Sequence, residues 1–268
     1  MKQDMNKNNN VNDMRLISFE EFKTIYKGYY KTIVDLLIKH NVPFSSACGT
    51  MLGAVREHDM IEWDFDIDNF FFIEDVDKLL SIEKDLPDNF YFETYLDGTL
   101  RYGLVRIFCK NLFRHDIKST RYVNVFIDFF AIRNVDIAED KRAKLYSNVL
   151  KEEKKVAFKN SIYKSKNIFK AALKKMYQFI LPSAKTSSKR IERKMKKLKD
   201  GQTCVMCRNG RLVSSLPINK EEVVYMQFDS YKIPCYKNYE LILQCLFGDT
   251  WKTPIVYNDR VIPEFYIK

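Results

Sequence analysis

The 268-residue sequence has no apolar run near the roughly 20 residues that a membrane-spanning helix needs. Its longest candidates, 69–73 and 123–132, are short and either interrupted by polar residues or bounded by charges, so no such helix is expected. A secretory leader is not expected either. Met1 to Asn12 is rich in Asn, Lys and Asp without an apolar centre, which reads as a disordered start on a cytoplasmic protein. The six cysteines are then expected as thiols. Cys204 and Cys207 form a Cys-x-x-Cys pair with no second pair to complete a zinc site, and His40, His58 and His115 fall in no metal-ligand spacing. No internal repeat is present, which excludes a solenoid.

What is present is a sequence with 46% hydrophobic and 14% aromatic residues, enough for a substantial core. The net charge of +10 is unevenly placed. Residues 151–200 hold seventeen Lys or Arg against four acids, so this stretch is +13 and the remainder −3. The chain therefore divides into a start over 1–15, a core over 16–138, a Lys-rich helical region over 139–200 and a C-terminal return to the core over 201–268.

Ser18-Phe19-Glu20-Glu21 is a capping box opening an amphipathic helix that stops near His40-Asn41, with Pro43 beyond. Pro43 to Ala47 reads as extended, Met51 to Glu57 as a short helix, Ile67 to Ile73 as a buried strand and Asp75 to Leu86 as a second helix. Extended segments follow over 90–96, 101–109 and 122–132. The Lys-rich region reads as two or three helices, with breaks at Pro182 and at Ser187-Ser188. A last helix over 238–247 ends at Gly248.

Two carboxylates two residues apart on a strand share a face, which would bring Asp66 and Asp68 together, with Asp64 on the same face if the strand starts early. At an effective dielectric of about 20, like charges roughly 4 Å apart repel by about 4 kcal/mol, and a divalent cation reverses the sign. Oxygen ligands of this kind suit Mg²⁺ or Mn²⁺ and phosphoryl transfer. Asp128 stands alone inside the apolar run Val125-Phe126-Ile127-Asp128-Phe129-Phe130, where an unpaired charge is costly, and supplies a third acid. Gly49-Thr50, ahead of the expected helix, offers backbone N–H groups and a hydroxyl to a phosphate.

Cys48-Gly49-Thr50-Met51-Leu52-Gly53-Ala54-Val55-Arg56 followed by Ile61-Glu62-Trp63-Asp64-Phe65-Asp66-Ile67-Asp68 resembles the signature of the LicD family, the phosphorylcholine and related phosphotransferases that include fukutin-type enzymes. Ile127-Asp128-Phe129-Phe130 resembles its second acidic strand, and Phe247-Gly248-Asp249-Thr250-Trp251 its C-terminal motif. The sequence departs from the commoner pattern at Glu62, where proline is usual, at Phe65, where a further Asp is frequent, and at Asn69.

The resemblance implies an α+β, nucleotidyltransferase-like mixed sheet flanked by helices, with the Lys-rich helices inserted. It also implies transfer of a phosphate-linked group from a CDP-linked donor such as CDP-choline to the hydroxyl of a glycan or lipid-linked glycan. By resemblance Asp66, Asp68 and Asp128 are the catalytic and metal-holding acids, with Mg²⁺ or Mn²⁺ as cofactor. Gly49, Thr50, Arg56, Asp64 and Arg106 are expected to bind substrate, with Arg101 a further cation on the same stretch.

Two other functions use the same residues: nucleotidyl transfer from an NTP, and glycan binding by an inactive relative. The Lys-rich helices admit a solvated face, a site for an anionic glycan or lipid-linked acceptor, or a membrane surface. Phe158, Ile162, Ile168, Phe169, Leu173, Met176, Tyr177 and Ile180 give them an apolar side suited to an anionic membrane, the expected partner, while their aromatics fall at helical spacing and not as a stacking platform for nucleic acid.

Overall fold

In the computed structural model, residues 13–116, 121–160, 168–255 and 261–268 are described. The expected disorder of residues 1–12 lies outside them, as do Ile162 and the side chains of Ile168 and Phe169. After β1 (Arg15–Ile17), the Ser18 hydroxyl accepts from the Glu21 N–H at 3.1 Å and α1 runs over Phe19–Lys39. The buried stripe of α1 is Phe22, Tyr26, Tyr30, Ile33, Val34 and Leu37. Two tyrosines, polar at their tips, take its centre.

β2 (Ser45–Ser46) leads into α2 (Cys48–Arg56), which begins earlier than expected. Gly49 and Thr50 therefore lie inside its first turn and not ahead of it. Cys48 makes the corner with φ +47°. Next come β3 (Ile67–Phe72) and, where one helix over 75–86 was expected, a short α3 (Val76–Ser81) between 3-10 turns at Ile73–Asp75 and Ile82–Asp85. β4 (Phe90–Thr94), β5 (Leu104–Asp116) and β6 (Arg121–Asp136) follow.

The Lys-rich region forms α4 (Glu139–Asn160), α5 (Ile168–Ile180) and α6 (Ala184–Lys196). Pro182 falls at the break between α5 and α6, but Ser187 and Ser188 do not break a helix. They are buried inside α6, which Ser183 caps by accepting from the Thr186 N–H at 3.1 Å. The chain then returns through β7 (Lys199–Met206), β8 (Leu212–Ser214), β9 (Val223–Phe228), β10 (Tyr231–Tyr236), α7 (Tyr239–Phe247) and β11 (Phe265–Ile267).

Among the described residues, nine strands form one mixed sheet whose main path is β1-β11-β5-β6-β3-β2, with β4 on β5, β7 on β6 and β8 on β7. β9 and β10 form a separate ribbon. β6 is the spine of the sheet. Along one edge it meets first β5 and then β7, and along the other it pairs in parallel with β3. Gly103 (φ +74°) sits where β5 gives way to β7, and a Cβ there would come within 3.0 Å of the Cys207 Cβ and 3.3 Å of the Ala131 Cβ, so only glycine fits without a shift.

Strand alternation divides the core. Ile67, Phe71, Ile107, Ile127 and Phe129 pack on the α1 side, while Phe70, Phe72, Leu104, Phe130 and Ile132 pack toward α2, α7 and β10. The run of three phenylalanines in β3 follows from this, since a strand covered on both faces cannot alternate with polar residues. No helix among the described residues is long and apolar enough to cross a membrane.

α1 is pinned to the sheet by its tyrosines. Tyr26 Oη donates to the Phe126 carbonyl at 2.6 Å and accepts from the Ile67 N–H at 3.2 Å, and Tyr30 Oη donates to Asn69 Oδ1 at 2.6 Å. Asn69, fully buried, also reaches the Asp128 carbonyl at 3.4 Å. Tyr26→Phe would leave a buried carbonyl and N–H without this partner. It is expected to cost about 1–3 kcal/mol, a fall in melting temperature of about 2–4 °C per kcal/mol for a chain of this size. Thermal or urea unfolding checks this, and an unchanged midpoint would mean that the hydroxyl carries no such role.

Candidate active site

Parallel pairing of β3 with β6 sets Asp68 beside Asp128, and antiparallel pairing of β6 with β5 sets Asp128 beside Arg106. Laterally paired residues share a sheet face. The three side chains thus form a row across adjacent strands, on the face that α2 and α7 cover elsewhere. Asp66 is exposed and precedes the first residue of β3, with Asp64 two residues earlier. The strand therefore does not extend to either, and alternation ties only Asp68 to the row.

The first turn of α2 is tied to this row. The Thr50 hydroxyl accepts from the Asp68 N–H at 2.9 Å, and the Ala47 N–H donates to the Asp68 carbonyl at 2.9 Å. Thr50 is 4% exposed, so its oxygen fixes the strand end to the helix. Gly49 lies against Asp64, and a Cβ at that position would collide with the carboxylate. The Asp64 carboxylate, which also accepts from the Phe65 N–H at 3.1 Å, thus lies at the positive end of α2.

Burial pushes the Asp68 carboxyl well above the usual carboxylate range, and the negative charges of Asp66, Asp128 and Asp64 push it further. Asp128 is also raised by burial, although Arg106 opposes the shift through a two-pronged contact, Nε to Oδ1 at 2.6 Å and Nη2 to Oδ2 at 3.2 Å. The guanidinium of Arg106 in turn rests 3.9 Å from the centre of the Phe126 ring. Burial and the adjacent Asp68 raise the Cys48 thiol, against the opposing pull of Arg211.

A cleft of about 460 Å³ opens at this end of the sheet, lined by Cys48, Gly49, Asp64, Asp66, Arg211 and Phe247. A smaller cavity of about 200 Å³ shares Gly49, Asp64 and Phe247 with it and adds Arg56, Trp63 and Trp251. Of the two motif acids, Asp66 borders the larger cleft, while Asp68 sits behind it on the strand. Arg56 is held in the smaller cavity, donating to the Trp251 carbonyl at 3.2 Å and pairing with Glu57 at 2.6 Å. The Phe-Gly-Asp-Thr-Trp segment is thereby anchored to α2.

Three further residues at the site carried no signal in the sequence. Arg211, just before β8, lines the cleft while donating to the Leu246 carbonyl at 2.9 Å. Arg208 lowers the pKa of Asp128 through its charge. Glu153, on α4 of the Lys-rich region, pairs with Arg101 at 2.8 Å and lies 3.5 Å from Arg208. Each is brought in from a distant part of the chain by the β6–β7 pairing or by α4, and none sits in a local pattern.

Among the described residues, no group of three or more His, Cys, Asp or Glu is arranged to hold a metal ion as it stands. Cys204 and Cys207 are buried free thiols; burial raises Cys207 to about 12 and Cys204 well above its ordinary value.

Arg106 balances a buried carboxylate, so Arg106→Gln is expected to destabilise the fold by about 3 kcal/mol, the usual cost of orphaning one partner of a buried pair. Adding Asp128→Asn should restore at least half of that loss. Denaturant unfolding of the two single variants and the double variant measures the coupling, and simple additivity would show that the pair is not a unit.

A search of curated proteins gives no match. Residues 41–170, a span that holds α2, β3, β5, β6 and all the acids of the row, match the family described as LicD/FKTN/FKRP, nucleotidyltransferase domain. Over that segment, a little under half of its length, the chain is similar to this family, a similarity that suggests a transferase of phosphotransferase-like function on glycans.

Proposed function

We propose that the protein transfers a phosphate-linked group, such as phosphocholine, from a CDP-type nucleotide donor to a hydroxyl of a cell-surface glycan, releasing the nucleoside monophosphate. The observation that carries this reading is the Asp68–Asp128–Arg106 row on three adjacent strands, lying behind a cleft bordered by Gly49, Asp66 and Arg211. On this reading the mixed sheet with its flanking helices is a nucleotidyltransferase-like core, and the donor pyrophosphate lies in the cleft against the first turn of α2.

The donor set suits a hard divalent cation. Asp66 and Asp68 offer carboxylate oxygens, and the mutual repulsion that raises Asp68 is the condition a cation relieves. Mg²⁺ usually takes one or two carboxylates and fills its remaining positions with substrate phosphate and water, so Asp66 and Asp68 would hold it. Asp128 would join them only by giving up part of its contact with Arg106. A cation bound there would neutralise charge on the pyrophosphate as the nucleoside monophosphate leaves.

The remaining roles belong to the chain itself. Arg211 places a positive charge in the cleft, where it can meet the leaving phosphate. On this reading Asp128, whose proton affinity burial has raised, would take the proton of the acceptor hydroxyl, with Arg106 holding it in orientation. Thr50 acts through Asp68, by fixing the end of β3.

Incubation with Mg²⁺ and a panel of CDP-choline, CDP-ribitol and CDP-glycerol, with an acceptor glycan, should release CMP from one of them. Asp66→Asn and Asp68→Asn should each lower turnover by about 10²–10³-fold in a folded protein. Pyrophosphate released from an NTP would assign nucleotidyl transfer instead, and near-normal turnover in both variants would refute the site.

Stability provides a test independent of activity. Mg²⁺ should raise the melting temperature of the wild type. Asp68→Asn should raise the metal-free value by about 2–4 °C, corresponding to about 1 kcal/mol of relieved repulsion, and should abolish the increment from Mg²⁺. An increment that survives in this variant would place the cation elsewhere.

A further inference from the structure

Over residues 173–180, the part of α5 whose side chains are described, the helix lies with its faces reversed relative to water. Leu173, Met176 and Ile180 recur at helical spacing on one side, and each is more than half exposed, with Phe179 beside them 86% exposed. The polar side of the helix is the one turned toward the protein. Gln178 Nε2 donates to the Phe158 carbonyl of α4 at 2.9 Å, and the Lys174 ammonium lies 4.9 Å from the centre of the Phe158 ring. A surface helix in water buries its apolar stripe and exposes its charges. Here the stripe faces outward, and single exposed apolar residues, which are ordinary, do not account for a continuous face.

The surroundings of this face identify what covers it. Lys175 on α5 and Lys185, Lys189, Arg190, Arg193 and Lys194 on the neighbouring α6 are all exposed. The stretch 151–200 carries a charge of +13, while the rest of the chain is −3. An apolar stripe within a stretch dense in exposed cations matches the interfacial region of an anionic bilayer, where acyl chains receive the stripe and headgroups the cations. A second copy of the chain would bring the same excess of positive charge against itself.

We propose that α5 docks the protein on an anionic membrane surface, with Leu173, Met176, Phe179 and Ile180 entering the acyl boundary and the cations of α5 and α6 meeting the headgroups. α4 joins this surface to the candidate site. It packs on α5 through Phe158 and Tyr177, whose ring centres are 5.7 Å apart, and at its Glu153 it pairs with Arg101. The docked enzyme would thus act at the membrane face. The docking does not rest on the proposed chemistry and is measured without nucleotide.

The test is co-sedimentation of the full chain with vesicles of phosphatidylglycerol and phosphatidylcholine in equal parts, and with vesicles of phosphatidylcholine alone. Binding is expected to the anionic vesicles only, and it should fall steeply between about 0.05 M and about 0.5 M NaCl. The double variant Phe179→Glu/Ile180→Glu changes exposed residues, so its thermal unfolding should match the wild type while its vesicle binding falls by about tenfold or more. Wild-type protein that stays in the supernatant at low salt would overturn the proposal, as would a folded double variant that binds like the wild type. Sedimentation velocity covers the remaining occupant. A dimer that the double variant abolishes, with no vesicle binding, would assign the face to a second copy and overturn docking on lipid.

Discussion

The in-register parallel pairing of β3 with β6 is the constraint on which the rest of the site depends. It sets Asp68 beside Asp128, and a slip of one residue would turn one of the two carboxylates to the opposite face of the sheet. The register is held from the α1 side. Tyr26 bonds to backbone groups of both strands, and Tyr30 reaches Asn69, whose amide reaches the Asp128 carbonyl. Hydroxyls buried among aromatics thus satisfy the polar groups beneath the acids. The acids can then lie on a sheet whose remaining residues are almost wholly apolar.

Charge at the site is only partly balanced. Arg106 answers Asp128, and Arg208 adds to it from the β7–β8 turn. Asp68, raised by burial and then by Asp66, Asp128 and Asp64, has no comparable cation among the described residues. On the proposed reading this asymmetry favours Asp66 and Asp68 for the cation and Asp128 for the proton. Glu153 pairs with Arg101 and approaches Arg208, so the Lys-rich region is coupled to the arginines beside the site and is not a detached appendage.

Much of the fold was legible where one physical rule dominated. The capping box placed the start of α1 correctly, and the apolar runs placed β3 and β6 to within a few residues. The misreadings have specific causes. Gly49 and Thr50 looked like a loop because Gly is a poor helix former, yet the helix begins at the Cys48 corner. Ser187 and Ser188 looked like a break, but they are small residues packed inside α6. β1 and β11 are three-residue strands, stabilised by partners remote in sequence.

In the site, the acids stood out because a charge in an apolar strand needs a reason. Arg211, Arg208 and Glu153 did not, since a solvated cation and one that lines a cleft look alike in sequence. Asn69 was visible only as a departure from the family pattern. Its burial between Tyr30 and Asp128 gives that departure a structural role.

The central claim is that the acids of the β3 end serve a phosphate donor through a divalent cation. Isothermal titration of the protein with a CDP-linked donor, in Mg²⁺ and again in excess chelator, tests it most directly. The account predicts saturable binding in Mg²⁺ that weakens by at least about tenfold on chelation. Donor binding of equal affinity in both conditions would contradict it.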